Sequence, residues 1–481
     1  MSKHDNTENK VNGFPTAAAL RKALAKVSKT DAMTRIRSLF DAKTFVELGA
    51  YTKRSFSEAK SSVKDGEFEG VICGYGAVNG QLVFAFAQDS ERMKGALDAA
   101  HARKICSLYD LAIKNGAPVI GIFDCAGADI FEGVDALAGY GRIMGAVSAA
   151  SGVIPQIALL GGDCIGSFAA IAAMYDFVIS TEGGKLYVNS PALTGAENAQ
   201  SHLFAFHAAE MLEATAYARK LLSFLPQNSS TGVMVAAATD DLNRTLDRLD
   251  PNGSIHDILS AIADRGDYIE VGAASAPAIV TALSNVGGVT CGLLASDYAQ
   301  DEGRLTAAAA RKAARFVDFC DAFSIPLVTL VNSAGYSVSA DNECDNFAAE
   351  LAKLSMAYTK SENAKVTVVL GRAIGGAYTL LGSKSVGADV AYAFEGAEIA
   401  TMNAGSAVAF AMNDSITTTV TRAELEEEWR ENLASPVAAA STGAIDDIIS
   451  MPELRQRICS ALLLLAAKGT ALPRRHNVLP L

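Results

Sequence analysis

The 481-residue sequence predicts an α/β protein made of two similar halves, each a helix-covered sheet. Three observations support this. Short β-branched runs alternate with Ala-rich helical stretches along the chain. Runs such as "APVIGIF" (Ala117 to Phe123) and "IPQIALLG" (Ile154 to Gly161) are mostly apolar, as strands covered on both faces are. Segments of the first half also recur, in the same order, in the second.

The first residues, "MSKHDNTENKVNG", are polar and aperiodic, and 1–15 are read as a disordered tail. "GALDAAHARKICSLYDLAIKNG" (Gly95 to Gly116) reads as a helix that stops on its final Gly. With 41 Lys and Arg against 53 Asp and Glu, the net charge is −12. That balance argues against a general nucleic-acid or anionic-membrane binder. The eight Cys are scattered without a CxxC pair, and no uncharged apolar run approaches the roughly 20 residues of a membrane helix. Without a signal peptide, the expected compartment is the cytoplasm.

The repeat is read at several points. "DAKTFVELGA" (Asp41 to Ala50) lines up with "DRGDYIEVGA" (Asp264 to Ala273), and "LDAAHARK" (Leu97 to Lys104) with "LTAAAARK" (Leu305 to Lys312). The second spacing also carries Pro118 onto Pro326 and Gly127 onto Gly335. Further on, "LGGDCIGSF" (Leu160 to Phe168) falls against "LGRAIGGAY" (Leu370 to Tyr378). The polar stretch "TDDLNRTLDRLDPNGS" (Thr239 to Ser254) suggests the junction, giving domains 16–245 and 246–481.

In both halves an apolar strand enters a loop of small residues and then an Ala-rich helix. Such a loop aims amide N–H groups and the positive end of a helix dipole outward. A Walker loop needs Lys directly after Gly, whereas "GGAYTLLGSKS" inserts a Ser and carries Lys384 away from the glycines. Nor does GxGxxG follow the first strand. Taken singly, such a loop is read first as close backbone packing. The device occurs twice in each half, though, as "DCAGAD" with "GGDCIGSF" and "NSAGY" with "GRAIGGAY". Two converging loops, each offering an N–H, form an oxyanion hole.

Here the sequence resembles, over nearly its whole length, the carboxyltransferase subunits of biotin-dependent acyl-CoA carboxylases and decarboxylases. The resemblance rests on "GAPVIGIFDCAGADIFEGVDALAGYG", "ASGVIPQIALLGGDCIG", "ARFVDFCDAFSIPLVTLV", "GRAIGGAY", "GADVAYAFEGAEIATM" and the terminal "RRHNVLPL". It implies two tandem crotonase-like (ββα spiral) domains of the ClpP/crotonase superfamily, assembled as a trimer of dimers. Active sites would lie where one subunit's N-domain faces another's C-domain. The N-domain would bind the coenzyme A thioester, with Gly166 and Ser167 giving the enolate-side N–H groups beside Gly127 and Ala128. The C-domain would bind biotin, with Gly376 and Ala377 facing the ureido oxygen beside Gly335 and Tyr336. Biotin is itself the proton acceptor in that scheme, so no His or Glu base and no metal are expected.

The sequence also departs from the family pattern. Asp129 replaces an Arg close to the CoA path, Ser167 replaces a Gly, and Thr379 stands where propionyl- and acetyl-CoA carboxylases carry an Asp. A Pro-Gly-Phe loop has become "SAGYSVS", and an N-domain segment is rewritten as "NSPALTGAENAQSHLFAFHAAEM". Plainer readings stand beside these: Asp129 as a solvated loop charge, His202 and His207 as surface or core histidines, "RAELEEEWRE" as an exposed helix with i,i+4 pairing. No ATP-grasp-like region or Met-Lys-Met biotin-attachment sequence is present. Biotin would therefore arrive on a separate carrier domain or protein, in trans. The implied partners are a biotin carboxyl carrier with a biotin carboxylase, or a membrane decarboxylase subunit. Two other readings remain: a non-catalytic structural or regulatory paralog, and a biotin-independent crotonase-type acyl-CoA enzyme.

Overall fold

The computed structural model describes residues 16–27, 29–54, 68–195, 201–246 and 249–468. The expected tail 1–15, the terminal "RRHNVLPL" and residues 196–200 of the rewritten segment lie outside these. The chain divides into two compact units, Met1–Asn228 and Ser229–Leu481.

The first unit holds β1 (Val46–Leu48), β2 (Val71–Val78), β3 (Gln81–Gln88), β4 (Val119–Cys125), β5 (Gln156–Ile165), β6 (Phe177–Thr181), β7 (Lys185–Tyr187) and β8 (Phe204–Ala208). They form one sheet in the order β1-β2-β3-β4-β5-β6-β8, with β7 on the far end of β5. The first three strands are antiparallel, and the rest run parallel. The second unit holds β9 (Tyr268–Val271), β10 (Ile279–Val286), β11 (Val289–Ser296), β12 (Leu327–Ser333), β13 (Lys365–Ile374), β14 (Val390–Phe394), β15 (Glu398–Ala400) and β16 (Asp447–Ile449). Its order, read from the other edge, is β9-β10-β11-β12-β13-β14-β16, with β15 on β13. The two sheets match strand for strand, so the repeat in the sequence is a repeat of topology.

The expected junction at 245/246 moves upstream to Asn228/Ser229. Sequence composition placed it where turn residues cluster. The backbone places it earlier, because Met234 and Ala236 already pair with the second unit's first hairpin. Ala236 N–H donates to Gly288 O at 2.8 Å, and Thr290 N–H donates to Met234 O at 3.0 Å.

The helix read at 95–116 runs over Ala99–Asn115. Asp98 caps it, accepting from His101 N–H, and Gly116 ends it at φ 58°. Its repeat, the helix Ala307–Ala322, is capped by Thr306 in the same way. Alanine dominates because these helices lie flat on the sheets, where small side chains allow close approach. Both helices bury their Ala face completely, at Ala100, Ala102 and Ala112 in one and Ala309, Ala310 and Ala313 in the other. The first core closes around Phe123, whose ring meets Phe86, Phe168 and Tyr175 edge-on. The second is aliphatic, built on Leu293, Val328, Leu330, Val366 and Val368.

The opening Asp of each repeated segment has one structural job. In unit 1 the β2–β3 turn is Asn79-Gly80, and both amides donate to the Asp41 carboxylate, at 3.2 and 2.9 Å. Arg219 reaches that carboxylate at 2.8 Å. In unit 2 the β10–β11 turn is Gly287-Gly288, both at positive φ, and its amides donate to Asp264 at 2.8 and 2.9 Å. Arg455 completes the clasp at 2.7 Å. The settings differ: Arg219 and Asp41 are about a third exposed, at 30% and 29%, whereas Arg455 is wholly buried and Asp264 nearly so. Asp264→Ala leaves a guanidinium and two turn amides in a dry site, so it is expected to cost about 3–5 kcal/mol of unfolding free energy. The same change at Asp41 is expected to cost clearly less, which paired denaturant titrations would read.

Candidate active site

In each unit two backbone segments meet at the end of the sheet where the parallel strands finish. One is the loop leaving the first long parallel strand (β4 or β12), and the other is the helix start after the next (β5 or β13). In unit 1 the loop is pinned to Leu97: Leu97 N–H donates to Gly127 O at 2.9 Å, and Asp129 N–H donates to Leu97 O at 2.8 Å. Residues on either side of Ala128 are thereby used, and the Ala128 N–H points away from the pairing. Gly127 N–H turns back onto Cys125 Sγ at 3.3 Å. Unit 2 repeats this detail. Leu305 pairs with the Tyr336 position, and Gly335 N–H turns onto Ser333 Oγ at 3.3 Å. Among the described residues, neither the Ala128 nor the Tyr336 N–H has a partner.

The second segment corrects the sequence alignment by one residue. Cys125 pairs with Cys164 across β4 and β5, and Ser333 pairs with Ala373 across β12 and β13. The register therefore sets Gly166 against Gly375, not against Gly376. Both glycines turn the chain at nearly the same positive φ, 61° and 63°. Gly166 is no donor: its N–H is taken by the Tyr187 carbonyl at 3.1 Å. Within the helix Ser167–Ala173, the first donor with a partner is Ala169, which bonds to Gly166 O. The free amides are thus Ser167 and Phe168, the positional equivalents of Gly376 and Ala377. Ser167 was foreseen, whereas Phe168 was not, because sequence alone aligned the Gly-Gly pair rather than the strand ends.

Asp129 differs from the reading of a solvated loop charge. It is buried, caps the turn Ile130–Glu132 by accepting from Phe131 N–H, and meets Arg54 at 3.3 Å. Arg54 in turn faces Asp98 at 3.6 Å. The charge at Asp129 is met inside the fold by Arg54. Behind it, His101 Nδ1 lies 3.1 Å from Glu69 Oε1, and both are buried. Burial and the Glu69 charge push the Asp98 carboxyl up to about 6. Burial, the largest single influence, would raise Glu69, but the bond and charge of His101, with Asp98 and Arg54, together outweigh it and bring it to about 2.

Thr379 is exposed on the helix Gly375–Leu380 and faces no partner through its hydroxyl among the described residues. Lys384 lies beyond that helix and pairs with Asp446 at 2.5 Å, so it takes no part in the loop. The thiols nearest the unit-1 loops are poor nucleophiles. Burial pushes Cys125 up to about 12 and Cys164 well above the ordinary thiol value. His207 bonds Ser180 at 2.7 Å on the β6–β8 edge, and "RAELEEEWRE" is an exposed helix with Arg422 on Glu426 at 3.0 Å. Beside the unit-2 loops lies a polar cleft of about 270 Å³, lined by Ala334, Ile374, Arg304, Arg372, Glu398 and Arg430 among others. Among the described residues, each unit therefore offers unpartnered backbone N–H groups from two directions, with no nucleophile or buried base aimed between them. Such an array stabilises charge on an oxygen and does little else.

The carboxyl transferase domain family matches residues 26–479 of this chain. Methylmalonyl-CoA decarboxylase subunit alpha of Propionigenium modestum is 35% identical, over 94% of this chain and 93% of the relative. Propionyl-CoA carboxylase beta chain of Roseobacter denitrificans is 33% identical, over 94% of each. Among solved structures, the transcarboxylase 12S hexamer with methylmalonyl-coenzyme A and methylmalonic acid bound superposes with a TM-score of 0.87. It is 32% identical, covering 96% of this chain and 95% of that one. The tandem crotonase-like fold implied by the sequence resemblance is thus the fold of this chain.

Proposed function

The chain belongs to the carboxyl transferase family of biotin-dependent acyl-CoA carboxylases and decarboxylases, and from that membership we propose how its two amide sites divide the reaction. The carrying observation is the pairing itself: one array of free N–H groups in each unit, of like construction and unlike surroundings. The unit-1 array, Ala128 with Ser167 and Phe168, holds the thioester oxygen of an acyl-CoA as it becomes an enolate. Its amides are fixed before the reaction, so they stabilise the developing charge without reorganising. The unit-2 array, Tyr336 with Gly376 and Ala377, holds the ureido oxygen of biotin brought by a separate carrier.

The residues fit that ligand. Gly376 lies exposed in the first turn of its helix, and the space a Cβ would take is held by the Tyr336 ring. Biotin, when bound, supplies N1 as the acceptor or donor of the carboxyl group and as the acid or base for the α-carbon. No side-chain base is then required of this chain. The relatives' names favour methylmalonyl-CoA or propionyl-CoA as substrates, with the direction set by the partner subunits. We further propose a trimer of dimers, with one subunit's unit 1 facing another's unit 2. The apolar face of Ile130, Val134 and Leu137 beside the unit-1 loop, 82%, 77% and 62% exposed, would be covered there.

The test uses purified protein with malonyl-, methylmalonyl- and glutaconyl-CoA, in the presence and absence of free biotin. Biotin-dependent loss of the carboxyl group from one of them is expected. No turnover with any, together with no CoA binding by calorimetry, would leave a non-catalytic scaffold in place of an enzyme.

A further inference from the structure

We propose that the Tyr336 hydroxyl is an additional hydrogen-bond donor of the unit-2 site, aimed at the carbonyl oxygen of a cyclic urea. The inference rests on the reading of unit 2 given above and extends it to a side chain. A Cβ built on Gly376 would lie 2.3 Å from Tyr336 Oη and 2.8 Å from Cζ. The hydroxyl therefore stands directly over a residue whose amide faces the ligand. Among the described residues this oxygen makes no hydrogen bond. Nor is it sealed in the interior as a buried unsatisfied atom. It is a polar group held at the mouth of the site with nothing to bind.

The ring is held firmly. It meets Phe347 edge-on, with centroids 5.5 Å apart and planes at 82°, and Phe347 is itself buried. The backbone of Tyr336 is pinned by its pairing with Leu305. Burial raises the phenol above its ordinary value, so at neutral pH it keeps its proton and can only donate or accept as O–H.

The two units differ here in a way that suits two ligands. The position equivalent to Tyr336 in unit 1 is Ala128, which has no hydroxyl, so a thioester oxygen would meet amides alone. A urea and a thioester oxygen each carry two in-plane lone pairs, but the urea oxygen gains charge from two flanking nitrogens and so accepts hydrogen bonds more strongly. A phenol beside two helix-start amides meets that demand. It also explains why residue 376 is Gly, since any side chain would displace the hydroxyl.

The decisive comparison is Tyr336→Phe, which keeps the ring and its packing. Binding of biotinyl-lysine is measured by calorimetry, beside the NMR signal of Cζ-labelled tyrosine. Biotinyl-lysine is expected to bind Tyr336→Phe about 5- to 10-fold more weakly, and the wild-type Tyr336 signal, assigned by its loss in the variant, is expected to shift on addition. In biotin-dependent turnover, kcat is expected to fall about 10-fold or more while the KM for the acyl-CoA holds. Gly376→Ala is expected to lose biotinyl-lysine binding and, because its Cβ would collide with the packed Tyr336 ring, to lower the unfolding midpoint as well. Equal binding by wild type and Tyr336→Phe, with no shift of the signal, overturns the inference while leaving the amide site standing. Tighter binding by the Phe variant overturns it too, by showing that the hydroxyl blocks the site. No binding of biotinyl-lysine to the wild type overturns the reading of unit 2 itself.

Discussion

Arg54→Met is expected to lower the unfolding free energy of the first unit by about 3–5 kcal/mol, the cost of removing one partner from a buried ion cluster. Arg54 is 6% exposed and faces Asp98 and Asp129, which are 0% and 2% exposed at their side chains. Methionine fills similar space, so packing changes little and the lost charge dominates. The neighbouring Glu69 carboxylate makes matters worse, since the cluster then holds three acids and His101. The functional effect follows from position. Asp129 follows Ala128 directly, so a loop released from Arg54 no longer holds the Ala128 amide in register with Ser167. Thioester turnover is therefore expected to fall well beyond any loss of CoA binding. Adding Asp129→Asn to the variant removes one of the orphaned charges and is expected to restore part of the stability. If the single variant melts within about 1 kcal/mol of wild type, the cluster is solvated and the account of Asp129 fails.

Ala377→Pro is the second large effect, and it separates the two units. The substitution removes one N–H in the first turn of the helix Gly375–Leu380, where no intrahelical bond is lost with it. Loss of one oxyanion donor is expected to reduce kcat about 10²- to 10³-fold. Acyl-CoA affinity, read by calorimetry, is expected to stay within about twofold, the range of a surface change, because the proposed thioester contacts lie in unit 1. Equal damage to both would mean that the loop serves packing.

Much of this molecule was legible because the repeat is written in residues that structure constrains tightly. The Asp at the head of "DAKTFVELGA" and "DRGDYIEVGA" recurs because each clasps a hairpin turn through two amides and an Arg. The helix ending on Gly116 and the apolar strands were readable for equally local reasons. The crotonase-like identity of the fold came from the family resemblance, since no local pattern dictates a strand order.

What escaped was long-range. Alignment by identity matched Gly166 to Gly376, whereas the sheet register matches positive-φ turns, Gly166 to Gly375. That one-residue slip hid Phe168, whose side chain lies in the core while its N–H starts the helix without a partner among the described residues. The charge at Asp129 could not be read without Arg54, which lies 75 residues away. A charge reversal in a loop otherwise free of Arg was the available hint. The junction escaped because turn-rich composition marks loops within a unit as readily as linkers between units.

The central claim is that the two amide arrays serve two ends of one carboxyl transfer. It is tested most directly by incubating the purified protein with methylmalonyl-CoA labelled in its free carboxyl group, together with free biotin, and following the label. The account predicts labelled carboxyl on biotin and propionyl-CoA in matching amount, both lost in Ala377→Pro. Propionyl-CoA formed at the same rate without biotin, with no label transferred, would contradict it and make unit 2 a bystander.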